Sequence, residues 1–155
     1  MAIQYGTSTA ITITAGSLTS ATARASTAVT SGTTNNTTDY LVQVSVLAPA
    51  TTSGNKQVVV YGYMSTDGGT TYTGNSATAD NITGTDAAAA IGSPTNLFFM
   101  GTIQLNTVSV TATEQFSVAN TFGTVPPIWG IVLFNDCGST LGATVTAKYR
   151  EVYYT

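Results

Sequence analysis

The sequence predicts an all-β protein built as one antiparallel sandwich. Threonine makes up about a fifth of the 155 residues, and its branched side chain favours extended backbone. Only 7% of the residues are charged, so the Glu and Lys residues that usually support solvent-exposed helices are scarce. The apolar residues occur in runs of strand length, separated by stretches rich in Gly, Asn, Asp and Pro. Together these three features predict strands over most of the chain.

The chain has the length of one ordinary domain, and neither an internal repeat nor a linker divides it. We therefore predict a single domain over residues 1–155. Residues 1–38 are the part richest in Thr and Ser and have the weakest apolar pattern. They are expected to supply either strands or a partly extended N-terminal arm that lies on a neighbour.

The strand predictions follow from alternating or continuous apolar runs. The strongest cover residues 40–48, 57–64, 96–105, 128–134 and 143–154, and weaker ones cover residues 9–15, 70–73, 107–112 and 114–119. Residues 32–39 have the composition of a loop, and residues 86–91 that of a single helical turn. About eight strands at these spacings suit a two-sheet sandwich of the jelly-roll type. Because several strong runs are apolar on both faces, the outer faces of their sheets are expected to be covered as well.

Catalytic chemistry is poorly supported. The chain has no His, which excludes imidazole bases, Ser-His triads and His-ligated metal sites, and it has no glycine-rich phosphate loop. The composition leaves catalysis by a pair of carboxylates formally open, but nothing in the positions of Glu114 and Glu151 suggests that they converge. The single cysteine, Cys137, is expected to be a small buried apolar side chain near a turn. We predict a non-enzymatic protein without a cofactor.

The charge pattern argues against nucleic acid as a partner. The net charge is −3, and the four basic residues are scattered: Arg24, Lys56, Lys148 and Arg150. Lys148 and Arg150 are two residues apart, hence on one strand face, where solvent or cross-strand contacts are the favoured interpretation. No run approaches the roughly 18 apolar residues of a membrane helix, and the first residues do not resemble a secretory signal. The protein is therefore expected to be made in a cytoplasm and not to bind membranes.

Acidic and amide side chains recur in the loops of the middle region, at Asp67, Asn75, Asp80, Asn81 and Asp86. Oxygen ligands of this kind bind Ca²⁺, but their spacing does not match an EF-hand loop. Asp and Asn are also the ordinary residues of turns, and this interpretation is favoured. We therefore predict no metal site.

Residues 65–72 (Ser-Thr-Asp-Gly-Gly-Thr-Thr-Tyr) resemble the Asp-box motif of sialidase propellers, which in that family is a structural hairpin away from the chemistry. The resemblance predicts a hairpin over residues 61–73 and no sugar cleavage. Tyr61, Tyr63 and Tyr72 are expected to approach one another across it. They are the candidate surface or partner contacts. Aromatic side chains in strands usually belong to the core or to protein interfaces, and stacking of these rings on a sugar is the alternative.

Several longer segments, in order, resemble a group of short structural proteins of tailed bacteriophages. They are Met-Ala-Ile-Gln-Tyr-Gly-Thr (1–7), Val-Tyr-Gly-Tyr-Met-Ser-Thr-Asp-Gly-Gly-Thr-Thr-Tyr-Thr (60–73), Gly-Thr-Asp-Ala-Ala-Ala-Ala-Ile-Gly-Ser-Pro-Thr-Asn-Leu (84–97), Phe-Ser-Val-Ala-Asn-Thr-Phe-Gly-Thr-Val-Pro-Pro-Ile-Trp-Gly-Ile-Val (116–132) and Lys-Tyr-Arg-Glu-Val-Tyr-Tyr (148–154). The similarity extends over nearly the whole chain, and no single motif is diagnostic. The group offers no catalytic residues to carry over.

The resemblance implies a virion component. The expected function is that of a capsid decoration (cement) protein, which stabilises the head through contacts with the major capsid protein or other virion proteins. Such proteins are often small β-sandwiches that form trimers, so a homotrimer is expected. The alternative is a tail or head fibre module that binds a receptor or glycan.

Overall fold

A computed structural model describes residues 2–32, 36–74, 81–92 and 95–155, and these form two antiparallel sheets packed face to face. The strands are β1 (Ile3–Tyr5), β2 (Thr9–Ile11), β3 (Ala23–Ala25), β4 (Val29–Thr30), β5 (Asn36–Leu47), β6 (Gln57–Ser65), β7 (Ala87–Ala89), β8 (Phe98–Gln104), β9 (Thr111–Ser117), β10 (Ile128–Asp136) and β11 (Val145–Tyr154). One short helix, α1 (Val118–Phe122), follows β9. The predicted all-β antiparallel sandwich is confirmed, and its jelly-roll type stays a prediction.

The two sheets are built around two long central pairs. In sheet one the order is β1–β11–β5–β9, and β2 pairs with β11 beside β1. In sheet two the order is β7–β3–β10–β6–β8, and β4 pairs with β10 beside β3. The strands β8 and β9 end their sheets on the same side of the sandwich and contact each other there. Four of the five strongest predicted runs therefore occupy the centres of the sheets, whereas the fifth, residues 96–105, forms the edge strand β8.

The main core lies between the sheets. Successive side chains of a strand face opposite sides, so Val42, Val44 and Val46 of β5 point inward together and are fully buried. Trp129 of β10 meets them from sheet two and packs against the rings of Tyr40 and Tyr149, with centroids 5.4 and 5.6 Å away. The indole N–H of Trp129 is buried without a hydrogen-bond partner among the described residues.

A second apolar cluster covers the outer face of sheet two. Tyr63 of β6 and Val132 of β10 point outward but are fully buried. The segment that leads from β6 to β8 covers them with Ile82 and Leu97. This arrangement explains why β6 and β10 are apolar on both faces, and it confirms that the outer face of their sheet is covered.

The N-terminal segment is part of the sandwich. Residues 2–32 form β1 to β4, which pair with β10 and β11. Ile11 and Ala15 from this segment belong to the main core. In this chain the segment therefore contributes strands rather than an extended arm.

Three local predictions are wrong. Ala87–Ala89 is a strand, β7, instead of a helical turn, because its backbone pairs with β3. Asn36–Asp39 begins β5 instead of ending a loop, since it continues the pairing with β11. Thr70–Thr73 is not a strand. Its contact with β6 consists of two bonds to Met64, from the Thr73 N–H to the Met64 carbonyl (2.9 Å) and from the Met64 N–H to the Thr73 hydroxyl (3.0 Å).

The region around β9 also differs from its prediction. The two predicted strands over residues 107–112 and 114–119 are replaced by a single strand, Thr111–Ser117, which continues directly into α1. The Ser117 side chain accepts a hydrogen bond from the Asn120 N–H at 2.9 Å, and Gly123 ends the helix in the left-handed conformation. Among the described residues no helix is long and apolar enough to cross a membrane.

Candidate functional site

The three candidate tyrosines are close together, but they do not form an exposed surface. Tyr63 is fully buried, and its hydroxyl donates a 2.6 Å hydrogen bond to the Ser26 carbonyl. Burial raises the pKa of Tyr63 above its ordinary value. Tyr72 is half-buried and lies edge-on to Tyr63, with ring centroids 5.6 Å apart. The prediction that Tyr63 is a surface contact is therefore wrong, because its ring fills the outer apolar cluster.

Tyr61 comes two residues before Tyr63 on β6 and is half-buried. Its ring meets that of Phe99 edge-on, with centroids 6.2 Å apart, and Phe99 is 63% exposed. Sequence reasoning missed Phe99 because it stands in a continuous apolar run that gives no sign of which ring faces solvent. Contact of Tyr61 or Tyr72 with a partner stays a prediction.

The Asp-box segment forms a tight turn organised by one carboxylate. Asp67 accepts hydrogen bonds from the Thr70 and Thr71 N–H groups (3.1 and 3.0 Å) and from the hydroxyls of Thr71 and Ser65 (2.6 and 2.7 Å). Bonds from the Thr71 hydroxyl, the Thr71 N–H and the Ser65 hydroxyl hold the pKa of Asp67 well below its usual range. This carboxylate is thus occupied in shaping the turn.

Asp86 is likewise engaged in a structural contact. The Arg24 Nε lies 2.6 Å from its carboxylate, and Thr14 donates to it through both its N–H and its hydroxyl. Partial burial acts to raise the pKa of Asp86, but the bonds from Arg24 and Thr14 outweigh it and leave the pKa lowered. The contact ties β3 to the start of β7.

The acidic loops give no metal centre within the part of the chain that the structure describes. Asp80 and Asn75 lie outside the described residues. Among the described ones, no three Asp, Glu, Cys or His side chains are grouped so that they could hold an ion.

The two glutamates are placed apart. Glu114 is exposed on β9, opposite Val44 of β5, and Glu151 is on β11, opposite Tyr40 of the same strand. The strand β5 lies between the two glutamates, and the β5 residues opposite them, Val44 and Tyr40, are four positions apart. The fold therefore does not bring Glu114 and Glu151 together as a catalytic pair.

An open groove of about 370 Å³ lies on the outer face of sheet one. It is lined by Tyr5, Ser8, Leu41, Gln43, Gln115, Lys148, Tyr149 and Arg150. The strand register aligns three of these in one row across the sheet, since Lys148 of β11 is opposite Gln43 of β5, and Gln43 is opposite Gln115 of β9. Arg150 comes two residues after Lys148 and is opposite Leu41.

The groove is basic and carries no acidic side chain in its lining. Lys148 and Arg150 are both exposed, and neither forms an ion pair with another residue of the described ranges. Their position on one strand face was predictable from their spacing. Their proximity to Gln43 and Gln115 was not, because it depends on the register of three strands that are distant in the sequence.

Within the described ranges the exposed large apolar side chains lie in three places. Ile3 and Tyr5 of β1 are 54% and 59% exposed, and Phe99 of β8 is 63% exposed. Val108 and Val110, between β8 and β9, are 44% and 51% exposed. Next to this last pair, β9 pairs with β5 on one side and has no strand on its other side among the described residues.

Comparison of the chain with protein families, with curated proteins and with solved structures gives no match.

Proposed function

We propose that the chain is a non-enzymatic structural protein of a tailed-phage particle, and that it acts as a decoration protein on the major capsid protein. The observation that carries the proposal is the edge of sheet one at β9. An edge strand offers unpaired N–H and C=O groups to another chain, and proteins usually protect such edges with charged side chains, above all Lys, or with Pro or bulges. β9 contains neither Lys nor Pro, its pairing with β5 is regular, and Glu114 is its one charged residue among the exposed Thr111, Thr113 and Gln115.

The low charge supports the same function. Burying a charge in a contact costs free energy unless a partner compensates it, so a surface of Thr and Ser is easier to cover than one of Lys and Glu. Of the few charged side chains, Arg24 and Asp86 already neutralise each other. Much of the remaining surface can therefore enter contacts with little electrostatic cost.

The distribution of exposed apolar side chains is a third support. Ile3 and Tyr5 lie at β1, whereas Val108 and Val110 lie beside β9, at the other end of sheet one. A protein that joins neighbouring capsid subunits, or that forms a trimer on them, needs more than one contact surface. We therefore propose a homotrimer bound to the shell.

The test has two measurements. Light scattering gives the mass in solution, and sedimentation with empty shells that lack the protein gives binding. A trimer that co-sediments with the shells supports the proposal. A monomer that stays in the supernatant contradicts it.

A fibre module that binds a receptor or glycan is the second candidate, and the basic groove on sheet one is the observation that favours it. Such a module would bind its ligand through the groove and would not need affinity for empty shells.

A further inference from the structure

We propose that the groove on the outer face of sheet one binds a carboxylated sugar, such as a uronate or sialate unit of an acidic polysaccharide. Lys148 and Arg150 would hold the carboxylate, Gln43 and Gln115 the hydroxyls, and Tyr5 one face of the ring. The proposal names the ligand of the second candidate function, and it does not depend on the place of the protein in a particle.

Charge complementarity is the first argument. Lys148 and Arg150 are half of the basic residues of the chain, and they project from the same face of β11 two residues apart. A guanidinium matches a carboxylate with two parallel hydrogen bonds, and an ammonium adds a compact positive charge. With no acidic residue in the lining and no ion pair to break, the positive charge is available to a ligand.

The amides are the second argument. Gln43 and Gln115 are neighbours across β5 and β9, and neither side chain forms a hydrogen bond with another described residue. A second pair of glutamines in the molecule behaves differently, since Gln104 donates to Gln57 at 3.2 Å and Gln57 donates to Asp136 at 3.0 Å.

An amide offers both donors and an acceptor, as the recognition of sugar hydroxyls requires. The amides of the groove are therefore free to bind hydroxyls, whereas those on sheet two are already used within the fold.

The exposed ring is the third argument. Tyr5 is 59% exposed at the edge of the groove, and half-buried Leu41 lies among the polar side chains. An aromatic ring presents an apolar face together with a polar tip, which suits the mixed apolar and hydroxylated surface of a sugar. The groove thus combines one aromatic face with a small number of placed polar groups.

Size and composition favour a sugar over a protein partner. A volume of about 370 Å³ is within the range of small-ligand sites, about 300–1,000 Å³. Protein interfaces have cores from which charged residues are depleted, yet here the two cations come from β11, which lies between the strands of Tyr5 and Gln43. An acidic peptide is therefore the competing ligand that the experiment has to separate.

The test is a titration by isothermal calorimetry with three acidic probes: tetragalacturonate, a hyaluronan tetrasaccharide and sialyllactose. Maltotetraose is the neutral sugar control and tetraglutamate the anionic peptide control. We expect at least one acidic sugar to bind and both controls to be weaker by about tenfold or more. Arg150→Gln and Lys148→Gln should each weaken the sugar by about tenfold, because each removes a charged hydrogen bond.

Two further variants separate a built site from diffuse attraction. Tyr5→Ala leaves the net charge unchanged and should still weaken binding, whereas Lys56→Gln removes a distant positive charge and should not. Urea unfolding of each variant shows that the fold is intact. The proposal is overturned if no acidic sugar binds, if tetraglutamate binds equally well, or if Lys56→Gln is as damaging as Arg150→Gln.

Failure here leaves the capsid proposal standing, because that proposal is tested by co-sedimentation with shells rather than by sugar binding.

Discussion

Tyr63 shows how a single polar atom fixes the position of a large side chain in this molecule. The ring is fully buried in the outer cluster, and its hydroxyl finds one acceptor, the Ser26 carbonyl, at 2.6 Å. We expect Tyr63→Phe to lower the free energy of unfolding by about 1–2 kcal/mol, since it leaves that carbonyl without its partner. Urea denaturation followed by circular dichroism measures the change.

Tyr72→Phe is the matched control for this prediction. Tyr72 packs against the same ring, but its hydroxyl has no hydrogen bond with another described residue. Its replacement should change the free energy of unfolding by less than about 0.5 kcal/mol. Equal effects of the two substitutions would contradict the role assigned to the bond between Tyr63 and Ser26.

Asp67 gives a prediction for the response to acid. Its pKa is held below the ordinary aspartate value of about 3.9 by the bonds from Thr71 and Ser65. A carboxyl whose pKa is lower in the folded state stabilises the fold above the unfolded pKa, and this contribution is lost as the pH falls through the folded value. We therefore expect Asp67→Asn to be less stable than the wild type at pH 7 and to lose less stability between about pH 5 and pH 2.

The urea midpoint measured at a series of pH values checks this expectation. Thr71→Val provides a second variant, because it removes one donor to Asp67 while keeping the carboxylate. Its pH dependence should lie between those of the wild type and Asp67→Asn. Identical acid responses in all three proteins would show that the turn contributes nothing through this carboxylate.

At the scale of elements, the sequence predicts the long strands well and the short ones poorly. The strands β5, β6, β10 and β11 were expected from their apolar runs, because burial of alternate or consecutive side chains is a local property. The strand β7 consists of three alanines, which carry no strand signal, and it exists because the backbone of β3 is available to pair with it. Tertiary pairing decides such an element, and a local pattern cannot reveal it.

Gly62 is an intermediate case. A glycine inside a strong strand run predicts a bulge or a close backbone approach, and the structure shows neither at this position. The register between β6 and β8 does shift between Val60 and Tyr61, but the extra residue, Met100, belongs to β8. What lies close to Gly62 is a side chain, since a Cβ atom there would meet the Phe122 ring at 2.6 Å. The sequence indicated that something lies close to this position, but not that the ring comes from α1.

Gly130 of β10 gives the prediction at this scale. It is paired with Tyr63 of β6, and a Cβ atom at position 130 would lie 2.2 Å from the Tyr63 ring. Because Tyr63 is buried and held by Ser26, the ring cannot move away easily. We expect Gly130→Ala to destabilise the protein by about 1–3 kcal/mol through overpacking, measured by urea denaturation.

Gly62→Ala is the matched control, since it also places a methyl group against an aromatic ring in the same sheet. Phe122 is half-buried, so its ring can shift, and the lower chain entropy of alanine in the unfolded state offsets part of the cost. The loss should be clearly smaller than for Gly130→Ala. A larger loss at Gly62 would mean that the contact between Gly130 and Tyr63 is not a tight one.

At the scale of the whole molecule, the candidate surfaces were only partly predictable. The low charge, the absence of His and the common face of Lys148 and Arg150 can be read from the sequence alone. The groove itself needs Tyr5, Gln43 and Gln115 from three other strands, and their alignment depends on sheet order and register. Tyr63 was misplaced because the segment that follows β6 folds back across the outer face of sheet two and buries the ring, and no local pattern indicates this path.

The surface beside β9 provides the last prediction. Val108 and Val110 are 44% and 51% exposed, so lysine at both positions should leave the fold and its unfolding midpoint unchanged. If this surface is covered on the shell, two charges must lose their water there, and Val108→Lys combined with Val110→Lys should lower shell occupancy by about tenfold or more. Co-sedimentation over a range of protein concentrations measures occupancy.

Thr12→Lys combined with Thr124→Lys adds the same charge at exposed positions elsewhere and should keep wild-type binding. Equal loss in both double variants would point to a general charge effect, and equal retention would remove the β9 side from the contact surface.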